Sequence, residues 1–164
     1  MSMPQAGFTD CPRDQRFTDA AEQAGRMTLS ADEATRRPIT TDEQVLERVD
    51  ALIGKAVRRQ LWLLFIDAAD RQIPLVIPMA DHPAAPYGGR AEMLASRIAD
   101  VVEKTGAAQI IVVWERRLRA TSTEADRAWA RELATACADV DVRIRAQLIS
   151  HRDGTRWFAP DDYL

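Results

Sequence analysis

The polar residues that follow the apolar run at 109–114 are the ones whose types and spacing could support ligand binding or catalysis. The candidates in the segment at 115–126 are Glu115, Arg116, Arg117, Arg119, Thr123 and Asp126. A carboxylate can serve as a general base or a metal ligand, and arginine binds phosphate or carboxylate groups with two parallel hydrogen bonds. Ligands of open α/β sheets bind beyond the carboxyl ends of strands, so we predict the ligand site here, for an anion above all.

Each of these residues also has an ordinary structural interpretation. Thr123 and Asp126 could cap a helix, where a hydroxyl accepts from a free N–H and an acid complements the helix dipole by about 0.3–1 kcal/mol. Glu115 could form a solvated ion pair with the neighbouring arginines, and the arginines could be a solvated loop. Both interpretations stay open at this point.

Other residues capable of nucleophilic or metal chemistry are isolated along the chain. The cysteines, Cys11 and Cys137, form no CxxC or Cys/His cluster, and the small apolar neighbours of Cys137 are typical of a buried free thiol. The histidines, His82 and His151, fall in a predicted loop and at a predicted strand end, away from other ligands. No nucleophile elbow, P-loop or dinucleotide fingerprint occurs, so we predict no cofactor.

Hydrophobic patterns predict the strands that carry the site. The runs at 61–66 and 109–114 are continuously apolar, as in strands buried on both faces. The run at 72–79 contains Pro74 and Pro78, which cannot donate to a ladder, so it belongs near a sheet edge and forms a hairpin with the first strand. Two further strands are predicted within 140–150 and around Trp157 and Phe158.

Three helices separate or precede these strands. Capping boxes at Thr40–Glu43 and Thr121–Glu124 predict the starts of the first and third helices, and glycines predict the ends of the first and second. The second helix should bury a stripe that consists of Met93, Leu94, Ile98, Val101 and Val102. The predicted fold class is therefore α/β, a three-layer mixed sheet flanked by helices in the order α-β-β-α-β-α-β-β, with a right-handed crossover joining two parallel strands.

Composition limits the class of protein. The 164 residues suit one polar arm at 1–37 and one α/β domain at 38–164. A net charge of −3 disfavours a general nucleic-acid or anionic-membrane binder, although residues 51–120 hold ten basic and seven acidic residues. No apolar run approaches the roughly 18 residues of a membrane span. The first residues lack the apolar core of a secretory signal, so we expect a cytoplasmic protein.

Residues 60–163 resemble the RadC-type JAB/MPN domain, a deaminase-like α/β fold. In that family an apolar strand ends in the pattern H-x-H-x7-S-x2-D, and the corresponding residues here are Val113, Glu115, Thr123 and Asp126 without a gap. Active members bind zinc through the two histidines and the aspartate, and a glutamate near the first strand helps to activate water. This chain has Arg59 and Gln60 near that strand and keeps only the last zinc ligand.

The resemblance without its histidines implies a metal-free, non-catalytic binding or scaffolding module with no cofactor. Its partner would be a protein or an anionic ligand that contacts the 115–126 segment. The alternative is a nucleic-acid-associated, DNA-repair-like protein that uses the arginines at 116–119. An enzyme of another chemistry, using Glu115, Asp126 and the arginines, is the third hypothesis, and the oligomeric state is left open.

Overall fold

Five strands form a single mixed sheet with helices on both of its faces. The computed structural model describes residues 36–117 and 120–164, so Arg119 and nearly all of the predicted 1–37 arm, including Cys11, lie outside the described residues. In chain order the elements are α1 (Asp42–Leu52), β1 (Gln60–Ile66), β2 (Gln72–Ala80), α2 (Arg90–Thr105), β3 (Gln109–Glu115), α3 (Glu124–Asp139), β4 (Ile144–His151), β5 (Gly154–Trp157) and α4 (Pro160–Tyr163).

The strand order across the sheet is β2-β1-β3-β4-β5. β1 pairs antiparallel with β2 and with β3, β3 pairs parallel with β4, and β5 pairs antiparallel with β4. The predicted α/β class, the N-terminal hairpin, the edge position of β2 and the parallel β3-α3-β4 crossover are confirmed. The prolines of β2 fit its edge position because they lack the N–H that an inner strand must donate.

Alternating side chains of the strands form two separate cores. On one face, residues such as Leu63, Val112 and Trp114 pack against α2 and α3. On the other face, residues such as Leu64 and Val113 pack against α1. This alternation follows from the period of two in an extended strand, and it decides which helix each strand side chain can reach.

Helix starts differ slightly from the predicted positions. α1 begins with a capping box between Thr41 and Gln44, one residue after the predicted one, and α3 begins with a box between Thr123 and Asp126, two residues after it. Consecutive Thr and Ser residues offer several capping registers. The register that turns Val45 and the other apolar side chains into the core is the one adopted.

The predicted burial of Met93 is wrong, and the predicted order of elements lacks one short helix. Met93 is 57% exposed, and the small side chains of Ala91 and Ala95 lie on the buried face of α2 in its place. The unpredicted α4 follows β5, where Pro160 occupies the first turn and the Tyr163 ring contacts Phe158 at 5.2 Å between centroids.

Within 36–117 and 120–164, no helix combines the length and the apolarity needed to cross a bilayer.

Candidate functional site

Four strand ends meet at one edge of the sheet. The register pairs Gln60, which begins β1, with both Ala80 at the end of β2 and Glu115 at the end of β3. Glu115 in turn pairs with Ser150 near the end of β4. The segments before β1, after β2 and after β3 therefore come together at this edge, which contains the predicted site.

Glu115 is a buried structural acceptor rather than a member of a solvated ion pair. The residue is 3% exposed. Its Oε1 accepts from the backbone N–H groups of Val57 at 2.8 Å and Arg58 at 3.3 Å. Its Oε2 accepts from the side chains of Gln60 and Trp62, the latter at 2.7 Å. The ion-pair prediction is wrong because β3 stays paired with β1 through its last residue, which leaves Glu115 inside the sheet.

The surroundings of Glu115 favour its charged form. Burial acts to raise the pKa of the Glu115 carboxyl, but the four hydrogen bonds outweigh it and leave the pKa below its ordinary value. A general acid or base near neutral pH needs a raised pKa instead. Glu115 is therefore suited to holding the segment before β1 and not to proton transfer.

Arg116 and Asp126 form an ion pair across the start of α3. The Arg116 side chain is 6% exposed and that of Asp126 is 22% exposed. Burial and the nearby charge of Arg156 lower the pKa of Arg116. The prediction of a solvated arginine loop is thus wrong for Arg116, whereas Arg117 is exposed.

Thr123 and Asp126 make the reciprocal cap that was one of their two interpretations. The backbone N–H of Thr123 donates to Asp126 at 2.7 Å, and the backbone N–H of Asp126 donates to the Thr123 hydroxyl at 3.2 Å. The capping interpretation of both residues is confirmed. Because the Asp126 carboxylate serves the cap and Arg116 together, it is occupied before any ligand arrives.

The two carboxylates of the predicted site are held by different partners. Directly paired strand residues project to the same face, so Glu115 shares a face with Gln60 and Trp62, the face that α1 covers. Asp126 lies in the first turn of α3, which packs on the opposite face. The structure thus brings Arg116, Thr123 and Asp126 together, while the Glu115 carboxylate is bound separately.

A pocket of about 160 Å³ opens beside these residues. We name it the β3-edge pocket, and its lining includes Arg59, His82, Trp114, Arg116, Asp126 and Trp129. Four of these residues, Arg59, His82, Trp114 and Trp129, were not among the predicted ligand-site residues. The sequence could have indicated Arg59 and His82 only through the predicted hairpin, because pairing of β1 with β2 places the loop after β2 beside the start of β1.

Hydrogen bonds hold the loop after β2 against the pocket. The Arg59 guanidinium donates to the carbonyls of His82 at 2.7 Å and Pro83 at 3.3 Å. The indole N–H of Trp129 donates to the same Pro83 carbonyl at 2.8 Å. The His82 ring then lies 5.7 Å from the ring centroids of both Trp114 and Trp129.

His82 is neutral at physiological pH. Burial, reinforced by the charge of Arg59, lowers the pKa of His82 to about 4. Its Nδ1 is buried and has no hydrogen-bond partner among the residues that the structure describes. The ring therefore presents an uncharged aromatic surface between two tryptophans.

His82 should make folding pH-dependent between about pH 6.5 and pH 4. Because the folded pKa of about 4 lies below the ordinary 6.5, the unfolded chain takes up this proton first, and stability falls as the pH drops through that window. We expect His82→Gln to flatten this part of the profile. Urea unfolding at pH 7, 5.5 and 4.5 measures the free energy of unfolding. If its dependence on pH is the same in the variant and the wild type, His82 is not the group responsible.

The donor set does not fit a catalytic zinc. Val113 is a fully buried core residue with no donor atom, and both Glu115 oxygens accept other hydrogen bonds. No group of three or more His, Cys, Asp or Glu that could hold a metal occurs among the described residues. A catalytic zinc needs three protein ligands and an open position.

Cys137 lies on the buried face of α3 and is fully buried. Burial raises the pKa of its thiol to about 12. The thiolate that nucleophilic chemistry requires is therefore almost absent near neutral pH, in agreement with the predicted buried free thiol.

Comparison with known proteins does not assign the chain to a family. No protein-family model matches the chain, and no curated protein matches it significantly.

Proposed function

We propose that this protein is a non-catalytic binding domain of the RadC/JAB-like kind and that the β3-edge pocket is its ligand site. The observation that supports this proposal most is the engagement of both candidate carboxylates. Glu115 accepts four hydrogen bonds from β1 and the segment before it, and Asp126 serves the α3 cap and Arg116. Neither is disposed to activate water, yet an open pocket remains beside them.

The order of the elements supports the RadC/JAB-like part of the proposal. The resemblance implies a hairpin, a helix and a strand-helix-strand crossover followed by a terminal hairpin, and β1 to β5 follow that order. The aligned positions Val113, Glu115, Thr123 and Asp126 fall at the end of β3 and the start of α3. In this proposal the ancestral metal positions have become structural, and the adjoining pocket binds a ligand without reaction.

The nucleic-acid alternative has less support. It depends on the arginines at 116–119 reaching phosphates, but Arg116 is 5% exposed and forms an ion pair with Asp126. Of the two arginines of this segment that the structure describes, Arg117 is exposed, and one exposed arginine gives little of the steep salt dependence that phosphate binding produces. Of the two functions, ligand binding in the β3-edge pocket is the better supported.

A pocket-filling variant tests the proposal. Ala125 lines the pocket at the start of α3, so Ala125→Leu should fill the space while leaving the helix intact. We expect wild-type protein, incubated with a nuclease-treated cell extract and analysed by native mass spectrometry, to retain a small molecule that Ala125→Leu loses. The matched control is Ala138→Leu at the exposed far end of the same helix, which should retain it.

Three results would count against the proposal. Equal retention by wild type and Ala125→Leu would place binding elsewhere, and chemical conversion of the retained molecule would make the protein an enzyme. Retention of material from an untreated extract that nuclease treatment abolishes would favour nucleic acid. If Ala125→Leu fails to fold, Ala84→Leu on the exposed loop fills the same pocket from the other side.

A further inference from the structure

We propose that the ligand of the β3-edge pocket is a small aromatic anion, one ring bearing a carboxylate. This inference rests on the proposed function, because it names the class of molecule that the pocket binds. Three features carry it: the size of the pocket, the rings that form its wall, and an imbalance between hydrogen-bond donors and acceptors around it.

The size of the pocket limits the ligand to about one ring. Its volume is about 160 Å³. An engineered protein cavity of roughly 150 Å³ admits benzene, which shows the scale of ligand that such a space accepts. One ring with one small substituent therefore fills the space that the pocket offers.

The wall of the pocket consists of rings whose positions are fixed. Trp114 and Trp129 lie 6.0 Å apart between centroids, and His82 contacts both at 5.7 Å. Both indole N–H groups are already used, Trp129 on the Pro83 carbonyl and Trp114 on the Gln147 side chain at 2.8 Å. The rings thus offer aromatic edges and faces instead of donors, a surface that complements a planar aromatic ligand.

The charged residues around the pocket favour an anion. Arg59, Arg116, Glu115 and Asp126 line it, so the formal charges balance. The hydrogen-bonding capacities do not, because both Glu115 oxygens and the Asp126 Oδ2 already accept from protein donors. Among the residues that the structure describes, Arg59 donates two of its five N–H groups, to the carbonyls of His82 and Pro83.

An incoming ligand consequently meets the donors of the exposed Arg59 guanidinium and few acceptors. A carboxylate is the group that a guanidinium binds with two parallel hydrogen bonds. Aromatic walls alone would also suit a cation, but a cation needs acceptors, and both Glu115 oxygens and the Asp126 Oδ2 already accept from protein donors. Because His82 is neutral, the wall that it forms with the two tryptophans is uncharged.

Benzoate is the probe that tests the class, with three matched comparisons. Benzamide keeps the shape and loses the charge, cyclohexanecarboxylate keeps the charge and loses the aromatic ring, and benzylammonium reverses the charge. We expect benzoate to bind at least about tenfold more tightly than benzamide and benzylammonium, since a hydrogen bond to a charged group contributes about 1.5–3 kcal/mol. It should bind about two- to tenfold more tightly than cyclohexanecarboxylate, since an aromatic pair contributes about 0.5–1.5 kcal/mol beyond the area that it buries. Quenching of tryptophan fluorescence and isothermal titration calorimetry give the dissociation constants.

Arg59→Ala distinguishes contact with the ligand from support of the loop. If Arg59 binds the carboxylate, its loss weakens benzoate about tenfold or more and leaves benzamide within about twofold. If it only holds the loop at 82–83, both probes weaken equally, and the proposal fails. The matched control is Arg58→Ala, because Arg58 uses its backbone N–H on Glu115 and its side chain is exposed. Its benzoate affinity should stay within about twofold.

The result also separates this inference from the proposed function. Benzoate binding no tighter than that of benzamide or cyclohexanecarboxylate overturns the ligand class, even when Ala125→Leu still abolishes retention of the cellular molecule. Undiminished benzoate binding by Ala125→Leu overturns the pocket itself as the place of binding. Circular dichroism of each variant confirms that it is folded before the affinities are compared.

Discussion

Glu115→Ala is expected to lower the free energy of unfolding by about 3–5 kcal/mol. The substitution leaves four donors, from Val57, Arg58, Gln60 and Trp62, facing a buried space with no acceptor. Each buried donor without a partner costs about 1–3 kcal/mol, and some of these groups can relax toward water. Urea denaturation followed by circular dichroism measures the loss.

Glu115→Gln is the informative companion to this substitution. The amide keeps the shape and one acceptor oxygen but turns an NH₂ group toward donors, so about half of the loss should remain. Glu47→Ala, at an exposed position of α1, is the control and should change stability by less than about 0.5 kcal/mol. A loss below about 1 kcal/mol for Glu115→Ala would show that the carboxylate does not hold the edge together.

The acid sensitivity of the protein should include a contribution from the same carboxylate. Because hydrogen bonds lower the folded pKa of Glu115 below the unfolded value of about 4.5, its stabilisation is complete above that pH. It is lost progressively as the pH falls through the folded pKa. Glu115→Gln should remove this component while leaving the separate decline that His82 produces between about pH 6.5 and 4.

Asp126→Ala should have the second-largest effect, a loss of about 2–4 kcal/mol. The substitution removes one half of the α3 capping box and leaves the buried Arg116 guanidinium without this carboxylate. Loss of a cap alone costs about 1 kcal/mol, so the excess above that value reports the ion pair. The same urea denaturation measures both parts.

A double variant separates the cap from the charge pair. Arg116→Met together with Asp126→Ala removes both charges, and an apolar side chain in place of a buried ion pair is often neutral or stabilising. The double variant should therefore be more stable than Asp126→Ala alone. Asp139→Ala, at the exposed opposite end of α3, is the control, and additive losses from the two single substitutions would refute the coupling.

Much of the fold was predictable because each element carries a local signal. The apolar run at 61–66 and the one at 109–114 became the inner strands β1 and β3, and the prolines of 72–79 marked β2 as an edge strand. Gly106 ended α2 in the left-handed conformation, with a positive φ of 71°. These signals depend on neighbours within a few residues, which the sequence displays directly.

The candidate site was predictable only in part. The segment at 115–126 was correctly singled out, and the cap by Thr123 and Asp126 follows from residues three positions apart. The burial of Glu115 and Arg116 was not predictable, because charged residues after a strand are usually solvated. Their burial depends on donors from positions 57–62 and on an acceptor at Asp126.

The sequence by itself determined the α/β class, the order of the elements and the position of the edge at which polar residues gather. Only the tertiary structure decided which of those residues face a ligand. The antiparallel β1–β3 register brings Arg59 and the loop that contains His82 to the end of β3, and α3 adds Trp129. The reason is physical: helix and strand periods act over short distances along the chain, whereas a pocket is formed by contacts between segments that are far apart in sequence.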